Sequence, residues 1–584
     1  MTTKHFFPTT DGVVLLGLES LVARNTQLAL DAPNKVVYSK THSPSKLSII
    51  SGGGGGHEPA WTGYVGDSML AAAVSGEVFA SPSTKQIMAA VRHVPSSKGI
   101  ILCITNYTGD NLHFGLAREK AAGLGYKVGM LRMSEDVSLP RVQISNLGRR
   151  GLAGNMFILK LCGAAAENDW DFDQVIELGQ STNDSCVTVG SSLDHCHIPG
   201  REVHRSIPQN AYVLGMGIHN EPGLREISPM PVAEEVVGEM LRCCLTESDE
   251  ERAYVKFEKR DETMLLINNF GGMSNFELEA LTTITRRKLK SEWGIEPMRT
   301  FVSCFETSLN APGWSLSVLN LSLIERKTKI QVITLLELMD QGTTAPAWPK
   351  NGIRQVSEQQ NGIQDPSGAT DGLSTRGPMI DQATFESALR TACNAALKAA
   401  SHLNNLDTTM GDGDCGEAVE GMCKGTLSKL DSGILEQSGG QLFPILDAIG
   451  EAVEEVGGTL GAIISIMLAA FTTSLKKMSA EITGQPEFSI ETASRASGEA
   501  LRNLMGYTPA RKGGRTVMDA LIPFCEELEQ HQNLDRAVRA AERGMDSTAG
   551  MKASYGRAEE EIPPDPGAVA AGVFLRGLLR GLES

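Results

Sequence analysis

The sequence predicts two joined architectures, an α/β fold over residues 1–345 and an all-α fold over residues 381–584. Three observations predict this. In the first stretch, short apolar, β-branched runs alternate with segments of helical pattern. In the last, apolar residues recur at three- and four-residue spacing almost throughout. Between them lies polar sequence rich in Gly, Pro, Gln and Ser with no hydrophobic period. At 584 residues the chain is too long for one hydrophobic core, which agrees with such a division.

Composition excludes several function classes. Lysine plus arginine (53) against aspartate plus glutamate (70) leaves a net charge of −17, and no basic run offers a track for a phosphate backbone, so no nucleic-acid partner is expected. The N-terminal MTTKHFFPTTDGVV lacks the basic, apolar and small-residue succession of a secretory signal. The longest apolar candidate, LGAIISIMLAAF, falls short of the roughly 18 to 20 residues of a membrane span, so no membrane partner is expected either. The eleven cysteines are scattered among predicted strands and helices and read as reduced core residues of a cytoplasmic protein.

Taken in order, KLSII (46–50) reads as a buried strand. It runs into SGGGGGHEPAWTGYVGD, Ser51 to Asp67, whose five glycines let backbone N–H groups approach a ligand with no Cβ in the way. Joined to a buried strand and to His57 and Glu58, this run reads as part of a site rather than as a flexible surface loop. SMLAAAVSGEVF (68–79) reads as helical. KGIILCIT (98–105) reads as a strand with Asp110 beyond its end, where the side chains of open α/β sheets converge; a lone aspartate there suits a helix cap equally well. AYVLGMG (211–217) is a strand leading to His219, which by itself fits a hydrogen-bonded structural histidine as readily as a catalyst. TMLLIN (263–268) and KIQVITLLE (329–337) complete the predicted strands. His195, Cys196 and His197 in DHCHIPG invite a zinc reading, but no CxxC or second histidine pair accompanies them.

The 33 residues from Ala347 to Met379 read as a flexible tether, bounded at 346–380. Beyond it Phe385, Leu389, Ala392, Cys393, Ala396, Leu397, Ala400 and Leu403 mark one face of an amphipathic helix. In LNNLDTTMGDGDCGEAVEG, Asp407, Asp412 and Asp414 fall at a helix end and in a Gly-containing loop, so three carboxylates can turn onto one point. Such a cluster repels itself unless a hard cation neutralises it, and all-oxygen ligands suit magnesium with nucleotide phosphates. Three later segments put small or hydroxyl residues at helix starts, where unpaired N–H groups favour a phosphate. They are VGGTLGAII (Gly457, Gly458, Thr459, Gly461), GGRTVMDAL (Arg515, Thr516, Asp519) and PPDPGAVAAG (Asp565, Pro566, Gly567). Each also suits an ordinary helix cap. No GxxxxGK[ST], HRD or DFG signature is present.

In chain order, GHEP, NYTGD, GRRGLAG, GMGIH, TSLNAPG, LDTTMGDGDCG, GGTLG, GRTVMD and DPGA resemble the dihydroxyacetone kinases over nearly the whole chain outside the tether. The fusion of both parts in one chain is similar to the ATP-dependent, fungal type. The resemblance implies a substrate domain of two α/β subdomains, followed by an antiparallel helical barrel that holds ATP. It implies that His219 forms a hemiaminal with the ketone carbon of dihydroxyacetone while His57 and Asp110 assist acid–base steps. The substrate contacts implied are Gly54, Gly55, Gly56, His57, Thr105 and Asp110. Mg2+ is implied on Asp407, Asp412 and Asp414. ATP contacts are implied at Cys415, Gly416, Glu417, Ala418, Gly458, Thr459, Leu460, Thr516, Val517, Asp565, Pro566 and Gly567. The expected reaction is ATP-dependent phosphorylation of dihydroxyacetone and of glyceraldehyde, by a homodimer whose ATP domains serve the partner chain. Four positions depart from the family pattern: Gly55 and Leu460 stand where serine is common, Thr105 where bacterial members carry lysine, and Gly514 where aspartate is usual. Two further readings follow from the same sequence: a cyclase that releases cyclic FMN from FAD, and a non-catalytic regulatory protein that binds dihydroxyacetone without consuming ATP.

Overall fold

The computed structural model describes residues 4–144, 148–201, 206–349, 377–408, 413–481, 487–551 and 563–584. It divides into two compact units, Met1–Gln359 and Gln360–Ser584.

The first unit contains two six-stranded sheets. In the first, β1 (Leu28–Asp31), β2 (Val36–Ser39), β3 (Ser48–Gly55), β4 (Ala72–Val78), β5 (Ile100–Thr105) and β6 (Val128–Met133) take the order β1-β2-β4-β3-β5-β6. Strands β4, β3, β5 and β6 run parallel, with β1 and β2 as an antiparallel edge. In the second, β7 (Cys186–Ser192), β8 (Tyr212–Leu214), β9 (Arg225–Ile227), β10 (Thr263–Asn269), β11 (Arg299–Ser303) and β12 (Gly313–Asn320) take the order β11-β10-β12-β7-β8-β9. Its pairings are antiparallel except β10 with β11. The helix Asn155–Glu167, buried from Asn155 to Ala166, joins side chains of both sheets into one apolar cluster. Two sheets with separate cores and one shared cluster give the two α/β subdomains that the sequence resemblance implies.

Three sequence expectations are corrected here. The glycine run is strand rather than loop: β3 continues through Gly55, buried along its whole length. SMLAAAVSGEVF is not helical; Ala72–Val78 of it forms the central strand β4. Its alanines, good helix formers in isolation, serve here as small side chains in a strand covered on both faces. KIQVITLLE is not a strand but leads into the helix Val332–Asp340. There Val332, Leu335, Leu336 and Met339 fall at helical spacing and enter the shared cluster, so tertiary burial overrides β-branched propensity. The packed chain also runs beyond residue 345: Trp348 lies 5.5 Å from Phe301 and 6.0 Å from Phe305, ring to ring. At the far end of the tether Met379 bridges Gln441 and Glu487. Residues 350–376 lie outside the described residues.

In the second unit, eight longer helices close a ring among the described residues: Gln382–Thr408, Cys415–Asp431, Leu442–Glu454, Gly458–Ala480, Ile490–Tyr507, Met518–His531, Leu534–Ser547 and Pro566–Glu583. Each packs on its neighbour in this order and the last packs on the first, as the barrel implied by the resemblance requires. That closing contact is tight. A Cβ on Gly577 or Gly581 would stand 2.7 Å from the Ala392 Cα or 2.6 Å from the Ala388 Cα, so the two backbones approach as only glycine permits. The periodic face read from Phe385 to Leu403 is the face that Gln382–Thr408 buries or half-buries. The helix containing LGAIISIMLAAF reaches 23 residues, long and apolar enough to cross a bilayer, which corrects its reading as too short. The run extends because Thr472, Thr473 and Ser474 interrupt the apolar stretch without ending the helix. Here it sits in the ring and contributes Leu460, Ile463, Ile464 and Leu468 to the clusters between helices.

Candidate active site

The site is assembled from strand ends of both sheets in the first unit. His57 follows β3, Asp110 lies in the first turn of the helix Thr108–Gly123 just beyond β5, and His219 follows β8. The chain thereby delivers residues that are far apart in sequence to one point, as converging strand ends do in open sheets. His57 is fully buried and His219 Nε2 lies 3.0 Å from His57 Nε2. Asp110 is buried, bonds the Ser81 hydroxyl, and feels the charge of His219.

The glycine run makes room for a cage of rings around these histidines. A Cβ on Gly53 would stand 2.2 Å from the Trp61 ring, and one on Gly54 would stand 2.8 Å from the Ala80 backbone nitrogen. Gly56 takes φ +94°, and a Cβ there would stand 2.9 Å from the Phe79 ring. Phe79 in turn stacks on His57 with ring centroids 5.1 Å apart at 18°. Around His219 three rings stand nearly perpendicular: His57 at 4.7 Å, Phe79 at 5.1 Å and Tyr107 at 4.7 Å. Glycine at 55, where serine is common, faces Val14: a Cβ would come 2.8 Å from its Cγ2.

Hydrogen bonds fix the protons. The Thr307 carbonyl, 2.7 Å from His57 Nδ1, can only accept, so Nδ1 carries the hydrogen and His57 Nε2 is an acceptor. His219 Nε2–H then donates to it. On its other side His219 donates Nδ1–H to Glu221 Oε1 at 2.8 Å, and its backbone N–H donates to Oε2 at 2.8 Å. Both ring nitrogens of His219 thus face a hydrogen-bond acceptor, His57 Nε2 on one side and Glu221 Oε1 on the other. Burial, reinforced by the neighbouring His219, drives His57 down to about 3, which keeps it a neutral acceptor. Burial opposes ionisation of Glu221, but the hydrogen bonds and charge of His219, with Arg150 beyond, hold it down to about 2. Burial raises Asp110 to about 6, against the Ser81 hydrogen bond and the His219 charge. Arg150 is itself fixed at 2.7 Å from Asp136, and a Cβ at Gly217 would collide with both Glu221 and Arg150.

In the second unit the expected metal and nucleotide residues gather at helix ends. Asp407 stands in the last turn of Gln382–Thr408, and its Oδ2 accepts from Cys415 N–H at 3.1 Å. Asp414 caps Cys415–Asp431, and Asp407, Asp414 and Asp565 all bear on the Cys415 thiol, which burial first of all raises to about 12. Asp565 caps Pro566–Glu583 by accepting from Ala568 N–H at 2.8 Å. Asp412 lies outside the described residues. Asp407 and Asp414, of the three aspartates expected to hold Mg2+, offer hard carboxylate oxygens of the kind that ion takes. Gly458 begins its helix with no side-chain cap and with open space around it, leaving N–H groups free for a phosphate. Val517 and Gly567 are neighbours: a Cβ on Gly567 would lie 3.3 Å from Val517 Cβ.

The other expected contacts are placed as follows. Asp519 binds the Gly513 N–H and, at 2.9 Å, the Thr516 N–H, so Thr516 does not present a free backbone donor. Gly416 is a packing position, since a Cβ would stand 2.0 Å from the Ala400 carbonyl oxygen. Leu460 joins the apolar clusters between helices. Thr105 is buried at the end of β5 against Gly151, with its hydroxyl unpartnered. Gly55 packs as described above, and Glu417, Ala418, Thr459 and Pro566 lie in the first turns of their helices. Cys196 N–H donates to Asn220 Oδ1 beside His219 and His197 N–H to Asn310 Oδ1, and no cluster of three metal-ligating side chains occurs among the described residues. Sequence reasoning missed Glu221, Thr307, Phe79 and Tyr107. Only Glu221, two positions from His219, left a local signal.

Comparison with known proteins identifies the family. Residues 19–347 match the Dak1 domain and residues 409–580 the DAK2 domain. The dihydroxyacetone kinase of Komagataella pastoris is 36% identical over 99% of this chain and 98% of its own length. The triokinase/FMN cyclase of Homo sapiens is 32% identical over the full length of both. The crystal structure of the dihydroxyacetone kinase of C. freundii, also known in complex with AMP-PNP and Mg2+, is 27% identical with a TM-score of 0.62, covering 99% of this chain and 100% of that one. With both domains matched in order and its relatives spanned end to end, the chain belongs to the dihydroxyacetone kinase family.

Proposed function

We propose that this protein transfers the γ-phosphoryl group of ATP to a hydroxyl of dihydroxyacetone while His219 holds the substrate as a hemiaminal. The observation that carries the reading is the hydrogen-bonded chain Thr307 carbonyl, His57, His219, Glu221. It makes covalent addition neutral in charge. His219 Nε2 gives its proton to His57 Nε2, and the freed lone pair attacks the carbonyl carbon. The C=O π pair moves to oxygen, and His57 returns the proton there. The resulting imidazolium adduct remains paired with Glu221, as His219 was before. Asp110, ionised above about pH 6, then accepts the proton of the attacking hydroxyl as its oxygen bonds to the γ-phosphorus and the bond to the ADP oxygen breaks. Such transfers depend mainly on positioning and charge neutralisation, and a covalent hold fixes a substrate that offers few contacts. Asp407, Asp412 and Asp414 would hold Mg2+, which neutralises phosphate charge when bound with ATP.

Under this reading a carbonyl is obligatory, so glycerol is rejected and glyceraldehyde accepted. Cytoplasmic homodimers, in which each ATP domain serves the partner, belong to the same reading, on the resemblance to the family. The test is ADP release by purified protein with Mg2+ and ATP, comparing dihydroxyacetone, glycerol and no acceptor, in the wild type and His219→Ala. Turnover with dihydroxyacetone and not glycerol, lost in the variant, is expected. A wild type idle with every acceptor would sink the proposal. A second reading, release of cyclic FMN from FAD, is supported by the full-length similarity to triokinase/FMN cyclases. That activity would use the second unit, so it survives His219→Ala if present.

A further inference from the structure

Phe79 occupies a backbone conformation that aromatic residues avoid. Its φ is +57°, in the left-handed region that non-glycine residues rarely occupy. The conformation is held from outside. Phe79 N–H donates to the Gly55 carbonyl at 2.9 Å, and a Cβ on Gly54 would stand 3.0 Å from Phe79 Cα. Replacing the hydrogen of Gly56 would drive a carbon to 2.9 Å from the ring itself. The strain thus fixes one ring position, stacked on His57 at 5.1 Å and edge-on to His219 at 5.1 Å. Tyr107 is fixed on another side of His219, its hydroxyl donating to the Gly151 carbonyl at 3.1 Å. A carbon bonded to His219 Nε2 must place its two substituents between these rings.

We infer that Phe79 determines acceptor size: its ring closes the side of the His219 pocket where a fourth carbon would lie, so that only three-carbon carbonyl compounds form a productive adduct. The inference rests on the kinase reading above. Removing one wall of an apolar pocket shifts selectivity for one added carbon unit by about 10- to 200-fold. The experiment compares kcat/KM for dihydroxyacetone and for a ketotetrose, its homologue with one more hydroxymethylene, in the wild type, Phe79→Ala and Phe79→Gly. Glycine tolerates the positive φ, so this second variant keeps the loop geometry and guards against misfolding, checked by an unchanged thermal midpoint. The expected result is a ketotetrose-to-dihydroxyacetone ratio at least tenfold higher in both variants. An unchanged ratio in the folded Phe79→Gly protein overturns the inference. A wild type that phosphorylates neither compound overturns the kinase reading instead, so the two failures are distinguishable.

Discussion

Replacing Glu221 by glutamine tests the proton arrangement most directly. The carboxylate accepts two hydrogen bonds, from Nδ1 and from the backbone N–H of His219, each 2.8 Å long. An amide offers one acceptor oxygen, so one of the two donors must face an NH2 group. The variant also loses the carboxylate charge beside His219. Holding Glu221 at about 2 rather than the ordinary 4.5 corresponds to about 3 kcal/mol, at about 1.4 kcal/mol per tenfold. Burial pushes the other way, so the favourable contacts of His219 and Arg150 together exceed that net figure. Because free enzyme and adduct carry the same charge, that charge favours neither; Glu221→Gln acts by breaking one of the two hydrogen bonds that orient the His219 ring, and is expected to lower kcat/KM for dihydroxyacetone about 10-fold, read by coupled ADP release. Any FAD cleavage would be untouched. The Glu221 contribution to stability is present above about pH 4.5 and lost as pH falls toward 2, and this acid sensitivity disappears in the variant. Retention of kcat/KM within about threefold of the wild type would refute the role assigned to this carboxylate.

Two other expectations follow from buried charges. Asp110 is held at about 6 against an ordinary 3.8, so the folded state disfavours its ionised form by about 3 kcal/mol at pH 8 and not at all below pH 3.8. Asp110→Asn should therefore raise stability to denaturant at pH 8 while abolishing phosphorylation, and the acid limb of wild-type activity should titrate near pH 6; a less stable Asp110→Asn protein would contradict the assigned burial cost. Lys160, buried in the helix Asn155–Glu167, donates to the Leu338 carbonyl at 3.0 Å and is lowered to about 8 by burial. Its charged form burdens the fold below about pH 8, and stability should climb by up to about 3 kcal/mol between pH 8 and 10.5. Lys160→Met should flatten that climb in urea titrations, and an unchanged profile would count against it.

The proposed trio could be located because each member sits just past an apolar strand run, KLSII before His57, KGIILCIT before Asp110 and AYVLGMG before His219, but its role was legible only through the family resemblance of GHEP, NYTGD and GMGIH. The helical second unit was legible for a similar reason, since its 3.6-residue period persists over whole helices. Phe79 was hidden because its strand is built of alanine, valine, serine and glycine, whose intrinsic tendencies do not announce a sheet. Thr307 was hidden because its contribution is a main-chain carbonyl, brought to His57 from 250 residues away. The glycine run was recognised as part of a site, but its reason was not. The neighbours that need the space, Val74, Trp61 and Phe79, are chosen by folding.

By itself the sequence determined the division into an α/β part and a helical part, the family, and the residue types that carry the chemistry. These are properties of local periodicity and of side chains read one at a time. Only the tertiary structure decided what each histidine nitrogen faces, which carboxylates are buried, and which rings surround His219. Those depend on burial and on partners from distant strands, and electrostatic and steric energies are set by distances that no linear order of residues contains.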